Sequence, residues 1–320
     1  MRTTTCAAPF LVAAVVLAAC SGSPDSSAAD LSPFPADAIH LRIGPITIPP
    51  ATEKTLCVTA YLPTTVPIDV VQIDTRQTFT HHVIFYRESP DATAEPVPFD
   101  CPPLDILSAS RAPLFIGETP NESMKLPPNV AYHLMPGAPY RIEGHFLNAA
   151  LTDVQADAEI ILTPARPGSA TQEADMIFLS AVNQLDKKYD GAEKGLPPMT
   201  ELTIDPAFWG MPDDMLGSKF FALTSHQHRL GTDFVITKST APTDPGVQLF
   251  ETMNWSHPPL LRYPDDAPLT FKQGEGFRWV CSYNNTTTDY IRFGQSALKN
   301  EMCILWAYYY PSQGFRVIFL

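Results

Sequence analysis

Charge is scarce in this chain of 320 residues: 17% of positions are Asp, Glu, Lys or Arg, against 45% hydrophobic. A chain this apolar can bury enough surface to fold, which excludes an intrinsically disordered protein. Basic residues are scarcer still, 21 against 34 acidic ones, and the net charge of -13 excludes a protein that binds nucleic acid through its phosphates. Glycine is sparse at 16 and has no collagen period, and six cysteines are too few for a disulfide miniprotein. Helical periodicity is missing as well, since no segment sustains it over three turns. The 33 prolines act in the same direction, because proline lacks an amide proton and clashes inside a helix. There is no pair of cysteines separated by two residues, the usual start of a zinc site. Beyond the N-terminus no apolar run is long and uncharged enough to cross a bilayer. What remains is a β-rich protein with length for about two domains.

The first thing present is a leader. Arg2 precedes an apolar run over residues 10–19, the pattern of a secretory signal peptide. Leu17-Ala18-Ala19-Cys20 is similar to a bacterial lipobox, which implies cleavage before Cys20 and a lipid on its sulfur. Residues 21–30 are small and polar, as a tether should be. The expectation is an exported lipoprotein, outer-membrane anchored or periplasmic, with a signal peptide over 1–19 and a tether over 20–38. An oxidising compartment makes disulfides the default for Cys57, Cys101, Cys281 and Cys303. Four cysteines allow three pairings, of which the local one places a staple in each half.

Short β-rich runs bounded by turn residues recur along the body, among them residues 56–62, 83–86, 141–147, 220–224, 277–283 and 304–310. A turn-rich stretch over 164–170 divides them. The expected fold is all-β, with two antiparallel β-sandwich domains at 39–166 and 167–320. Each half carries one histidine pair, His81-His82 in the first and His226-Gln227-His228 in the second. Residues i and i+2 of a strand share a face, so His226 and His228 can serve one ion. Adjacent residues point to opposite faces, so His81 and His82 need a twist or a strand end to converge. Neutral imidazole suits copper, zinc, iron and nickel, and a nearby thioether selects for reduced copper.

Four segments together resemble one family, the type II copper, ascorbate-dependent monooxygenases. They are His81-His82-Val83-Ile84-Phe85-Tyr86, Tyr140-Arg141-Ile142-Glu143-Gly144-His145-Phe146, His226-Gln227-His228-Arg229-Leu230-Gly231, and the run from Asn300-Glu301-Met302-Cys303 to Pro311. Their order and spacing fit the family over most of residues 40–312. The resemblance implies two β-sandwiches facing each other across a solvent-filled cleft. One copper would be held by His81, His82 and His145, and a second, catalytic one by His226, His228 and Met302. It also implies Cys57–Cys101 and Cys281–Cys303 disulfides, ascorbate or another one-electron reductant as electron source, and O2 as co-substrate.

One departure narrows the substrate. Thr224 stands where the peptide-amidating branch has an arginine for the substrate carboxylate, and threonine cannot form that charge-assisted pair. Trp306 replaces a tyrosine, and a cysteine expected after the paired histidines is missing. His40, His133 and His257 match no family ligand. The function expected is hydroxylation of a small organic substrate, the alternative being a non-catalytic copper-handling lipoprotein on the same scaffold.

Overall fold

A computed structural model describes residues 34–104, 111–165 and 168–320. The expected signal peptide, Cys20 and residues 20–33 of the tether lie outside these residues. Among the described residues eleven strands make up the N-terminal half: β1 Ile39–Ile48, β2 Thr52–Tyr61, β3 Ile68–Thr78, β4 Thr80–Arg87, β5 Glu95–Asp100, β6 Ala112–Gly117, β7 Ser123–Lys125, β8 Val130–Leu134, β9 Pro139–Asn148, β10 Val154–Ala165 and β11 Gln172–Glu173. Ten make up the C-terminal half: β12 Asp175–Ser180, β13 Thr200–Thr203, β14 Ala207–Gly210, β15 Lys219–His226, β16 Gly231–Ser239, β17 Val247–Thr252, β18 Leu261–Arg262, β19 Gly276–Asn285, β20 Ile304–Tyr310 and β21 Arg316–Phe319. Among the described residues helix is confined to α1, Val182–Leu185, and a 3-10 turn at Asp213–Met215. The all-β expectation holds.

Each half folds into two sheets. In the first, β1-β10-β3-β8-β11 with β7 on β3 forms one sheet and β5-β2-β9-β4-β6 the other. In the second the sheets are β18-β15-β20-β12-β21 and β13-β19-β16-β17, with β14 on β19. Among the described strands the pairings are antiparallel except β8 with β11 and β12 with β21. The chain changes halves between β11 and β12, a few residues beyond the turn-rich stretch around 166. The disulfides Cys57–Cys101 and Cys281–Cys303 form as the resemblance implied, one in each half.

Residues Phe34–Leu320 cluster as one unit, and β20 explains why. Every residue of β20 is buried. Its alternation sends Leu305, Ala307 and Tyr309 into the core of the C-terminal half. The same alternation sends Ile304, Trp306, Tyr308 and Tyr310 into the core shared with the N-terminal half. Strand β12 splits its side chains the same way, Ile177 and Leu179 against Met176 and Phe178. A strand with two buried faces reads as a continuous apolar run. One sheet therefore serves two cores. Residues 2 apart on β15 share a face, so His226 follows Ala222 and Thr224 onto the side turned towards the N-terminal half.

Candidate metal centre

Strand β4 solves the problem of its adjacent histidines with a bulge. Thr80 pairs with Phe146 and His82 with His145, which leaves His81 as the extra residue. A bulge re-aims side chains that regular alternation would separate. Phe79, just before the strand, has φ of 51°, the left-handed region that non-glycine residues seldom occupy. The rings of His81 and His82 come to 5.2 Å between centroids, and His145, directly opposite on β9, lies 5.1 Å from His82 and 5.6 Å from His81.

The second pair is positioned differently. His226 is the last residue of β15, opposite Ile304. His228 lies beyond the strand, in a turn closed by Gly231 N–H on the His228 carbonyl at 3.0 Å. Glu301 fastens that turn: its carboxylate accepts from His228 N at 3.0 Å, Leu230 N at 2.7 Å and Met302 N at 3.4 Å. Gln227 points away, its amide donating to the Asp233 and Ser282 carbonyls. A Cβ on Gly231 would come within 2.8 Å of the Gln227 side chain, so glycine is what lets the side chain fold over the turn.

The two pairs meet. His81 lies 4.8 Å from His226 and 5.4 Å from His228, and His82 lies 5.1 Å from His226. The resemblance implied two sites facing a solvent-filled cleft; here all five histidines are 4% exposed or less and form one cluster. Trp255 closes it from one side, 5.9 Å from His81.

Carboxylates and carbonyls fix the outward-facing nitrogens. Glu118, just beyond β6, has its carboxyl group 3.0 Å from His226 Nδ1, so an acid of the N-terminal half holds a histidine of the C-terminal half. Glu53 of β2 meets His145 Nε2 at 3.3 Å and also accepts from Ala297 N and Ser296 Oγ across the halves. His228 Nδ1 donates to the Asn300 carbonyl at 3.0 Å. A carbonyl only accepts, so Nδ1 carries the proton and the Nε2 lone pair is free. Glu143 lies 3.7 Å from His82 Nε2 and accepts from Leu104 N and Tyr86 Oη.

Burial and mutual repulsion keep His81, His82, His226 and His228 neutral. Burial first, then the neighbouring imidazoles, hold His81 and His82 well below the ordinary histidine value. Burial does the same to His228, and brings His226 to about 3. Burial raises Glu118 and Glu143, and lifts Glu301 to about 8 against its three backbone donors. Glu53 goes the other way: its burial is outweighed by hydrogen bonds from His145 and Ser296, and it falls to about 2. Inward, the polar atoms lack partners. His81 Nε2, both nitrogens of His82 and His145 Nδ1 are buried without a hydrogen bond, while His226 Nε2 faces His228 Nε2 at 3.3 Å. Buried polar atoms without partners cost on the order of 1–3 kcal/mol each, and an electrophile satisfies them together. Neutral imidazoles with aimed lone pairs fit a transition metal such as copper.

Of the residues expected from the sequence, His81, His82, His145, His226 and His228 come together. Met302 is buried in the shared core, on the same face as Ile304 two residues on, and its carbonyl accepts from Tyr283 Oη at 2.8 Å. Thr224 is buried with its hydroxyl on the Pro259 carbonyl, and Trp306 packs edge-on against Phe178 at 4.9 Å within the core. His40 and His133 pair with Glu159 and Asp69, away from the cluster. Sequence reasoning missed Glu53, Glu118, Glu143 and Glu301 as partners of the site. Two left a signal: Glu143 shares a strand face with His145, and Glu301 adjoins Met302. Glu53 and Glu118 left none.

Residues 209–319 match the model of the copper type II ascorbate-dependent monooxygenase, C-terminal domain. Over those residues the chain is similar to that domain of the family. The matched stretch contains His226, His228 and Met302, so the copper monooxygenase resemblance stands for the half that carries them. None of the curated proteins compared with the chain matches it. Among solved structures, the STIV MCP is 8% identical with a TM-score of 0.36, covering 86% of this chain and 97% of its own. The major capsid protein P2 from Bacteriophage PM2 is 9% identical with a TM-score of 0.35, covering 87% and 100%.

Proposed function

We propose that this protein is a copper-dependent monooxygenase that hydroxylates a C–H bond of a small organic substrate, with O2 and ascorbate or another one-electron reductant. The single observation carrying this reading is the cluster of five buried histidines, with unpartnered nitrogens on His81, His82 and His145, in a chain whose residues 209–319 match a copper- and ascorbate-dependent family. His81, His82 and His145 would hold one copper ion, and His226, His228 and Met302 a second. Bound there, copper supplies one-electron redox chemistry and a site for oxygen. In balance, one oxygen atom enters the C–H bond and the other leaves as water, using two electrons from the reductant and two protons.

The protein's own groups do the preparing. The Asn300 carbonyl fixes the His228 tautomer, so its Nε2 presents a lone pair inward, and Glu118 orients the His226 ring through Nδ1. Outer carboxylates of this kind orient metal-binding imidazoles. Beside His81 opens a cavity of about 220 Å³ lined by Phe79, Leu147, Trp255, Pro120 and His257 among others. No Asp, Glu, Lys or Arg lines it, which supports a small uncharged, aromatic or apolar substrate. The buried Thr224 offers no cation to a peptide carboxylate, which disfavours peptide amidation.

Export and a lipid anchor on Cys20 complete the proposal, and mass spectrometry of the N-terminal peptide from membrane fractions tests them; an unmodified peptide beginning at another residue contradicts the anchor. Among the described residues no helix is long and apolar enough to cross a membrane. The activity is tested by oxygen uptake of copper-loaded protein under ascorbate with amines, phenols and neutral aromatics. Tight copper binding without substrate-dependent oxygen use would point to the copper-handling alternative.

A further inference from the structure

The three histidines whose ligand atoms lie closest as a set do not come from one half. His81 and His82 of β4 and His226 of β15 have one nitrogen each within 4.8 Å of the others, all fully buried. Imidazole nitrogens bind such metals at about 2.0–2.1 Å, which puts two of them about 3.4 Å apart on a tetrahedral ion. Shifts of less than an ångström per ring thus close the set on one ion. Carboxyl groups that orient the rings already reach across the halves. Glu118 holds His226 Nδ1 from the N-terminal side, and Glu53 ties His145 to Ser296 and Ala297. Both ring nitrogens of His82 and Nε2 of His81 lack any hydrogen-bond partner.

We propose that His81, His82 and His226 form a transition-metal site shared by the two halves, filled by the first ion that the protein takes up. This site reuses ligands of the two-ion set above, so both cannot be complete at once: it is the state at one ion per chain. A second ion must draw His226 away towards His228. The first ion then clamps the halves together at the point where Glu118 and Glu53 already join them.

The experiment uses the full metal-free chain and zinc, which is redox-silent. Imidazole 15N resonances are followed while up to one equivalent of Zn(II) is added. The expected result is that His81, His82 and His226 shift together, in proportion, below one equivalent. Shifts of His81, His82 and His145 with His226 unmoved would overturn the proposal. In calorimetry, His81→Ala and His226→Ala each weaken the first binding event by tenfold or more, and the double variant loses no more than the stronger single. Losses in the double variant that multiply, or an unchanged first event in His226→Ala, describe two independent sites and overturn it too. The 15N experiment needs no variant at the site, so a misfolded substitution does not leave the matter open. Two independent sites with substrate-dependent oxygen uptake would remove the shared site while leaving the monooxygenase reading intact.

Discussion

Glu118 lies 108 positions from His226 in the chain, yet its carboxylate is 3.0 Å from that ring. Nothing in its local sequence marks it, because the contact arises only when β6 and the end of β15 meet. The histidines were legible for the opposite reason: two pairs and a third strand in a familiar order carry their chemistry in their residue types. Replacing Glu118 by Gln keeps the shape but puts an amide where the carboxyl group supports His226 through Nδ1. The expected outcome is metal affinity weaker by about 10–100-fold, read by competition with a chelator, with Glu159→Gln on the surface as the unchanged control. The buried groups also set the pH dependence of the metal-free protein. His226 titrates near 3 when folded against 6.5 unfolded, so its contribution to stability is lost as pH falls from 6.5 towards 3. Glu301 titrates near 8 against 4.5, so its contribution is lost as pH rises from 4.5 towards 8. The two slopes oppose each other between 4.5 and 6.5. Thermal melts at constant ionic strength should therefore give the highest Tm in that window, and a Tm still climbing from pH 6.5 to 8 would contradict the assignment.

At the scale of the element, β4 and β20 show what patterning reveals and what it hides. The β4 sequence announces a strand and two histidines, and alternation already requires a departure from regular geometry; the bulge at His81 is that departure. In β20 the run Ile-Leu-Trp-Ala-Tyr-Tyr-Tyr has no alternation to read, because both faces are covered. A strand is legible there, but not the fact that its two faces belong to different cores. Tyr308 exposes the arrangement: its hydroxyl accepts from Ile116 N of β6 at 3.1 Å, joining the halves. Tyr308→Phe leaves that buried amide without a partner, at a cost of about 1–3 kcal/mol. Urea denaturation should show a lower midpoint with an unchanged slope, since the surface exposed on unfolding barely changes.

For the whole molecule, composition and turn chemistry give the fold class, and the motifs give the ligands. The distance between the sites is the part that the sequence does not carry. Two sandwiches can face a cleft or close upon it with the same strands, and local pattern is the same in both. Here β20, Glu53 and Glu118 bind the halves into one unit, and the five histidines become one buried centre. The central claim is that this centre performs copper-dependent oxygen chemistry. Oxygen uptake by the copper-loaded full chain under ascorbate tests it most directly, read against the same protein with His226→Ala and with small neutral aromatic substrates present or absent. The account predicts substrate-dependent uptake with one hydroxylated product per O2, at least a hundredfold slower in the variant, about 2.7 kcal/mol in the barrier. Uptake that is indifferent to substrate, or equal in wild type and His226→Ala, would contradict it.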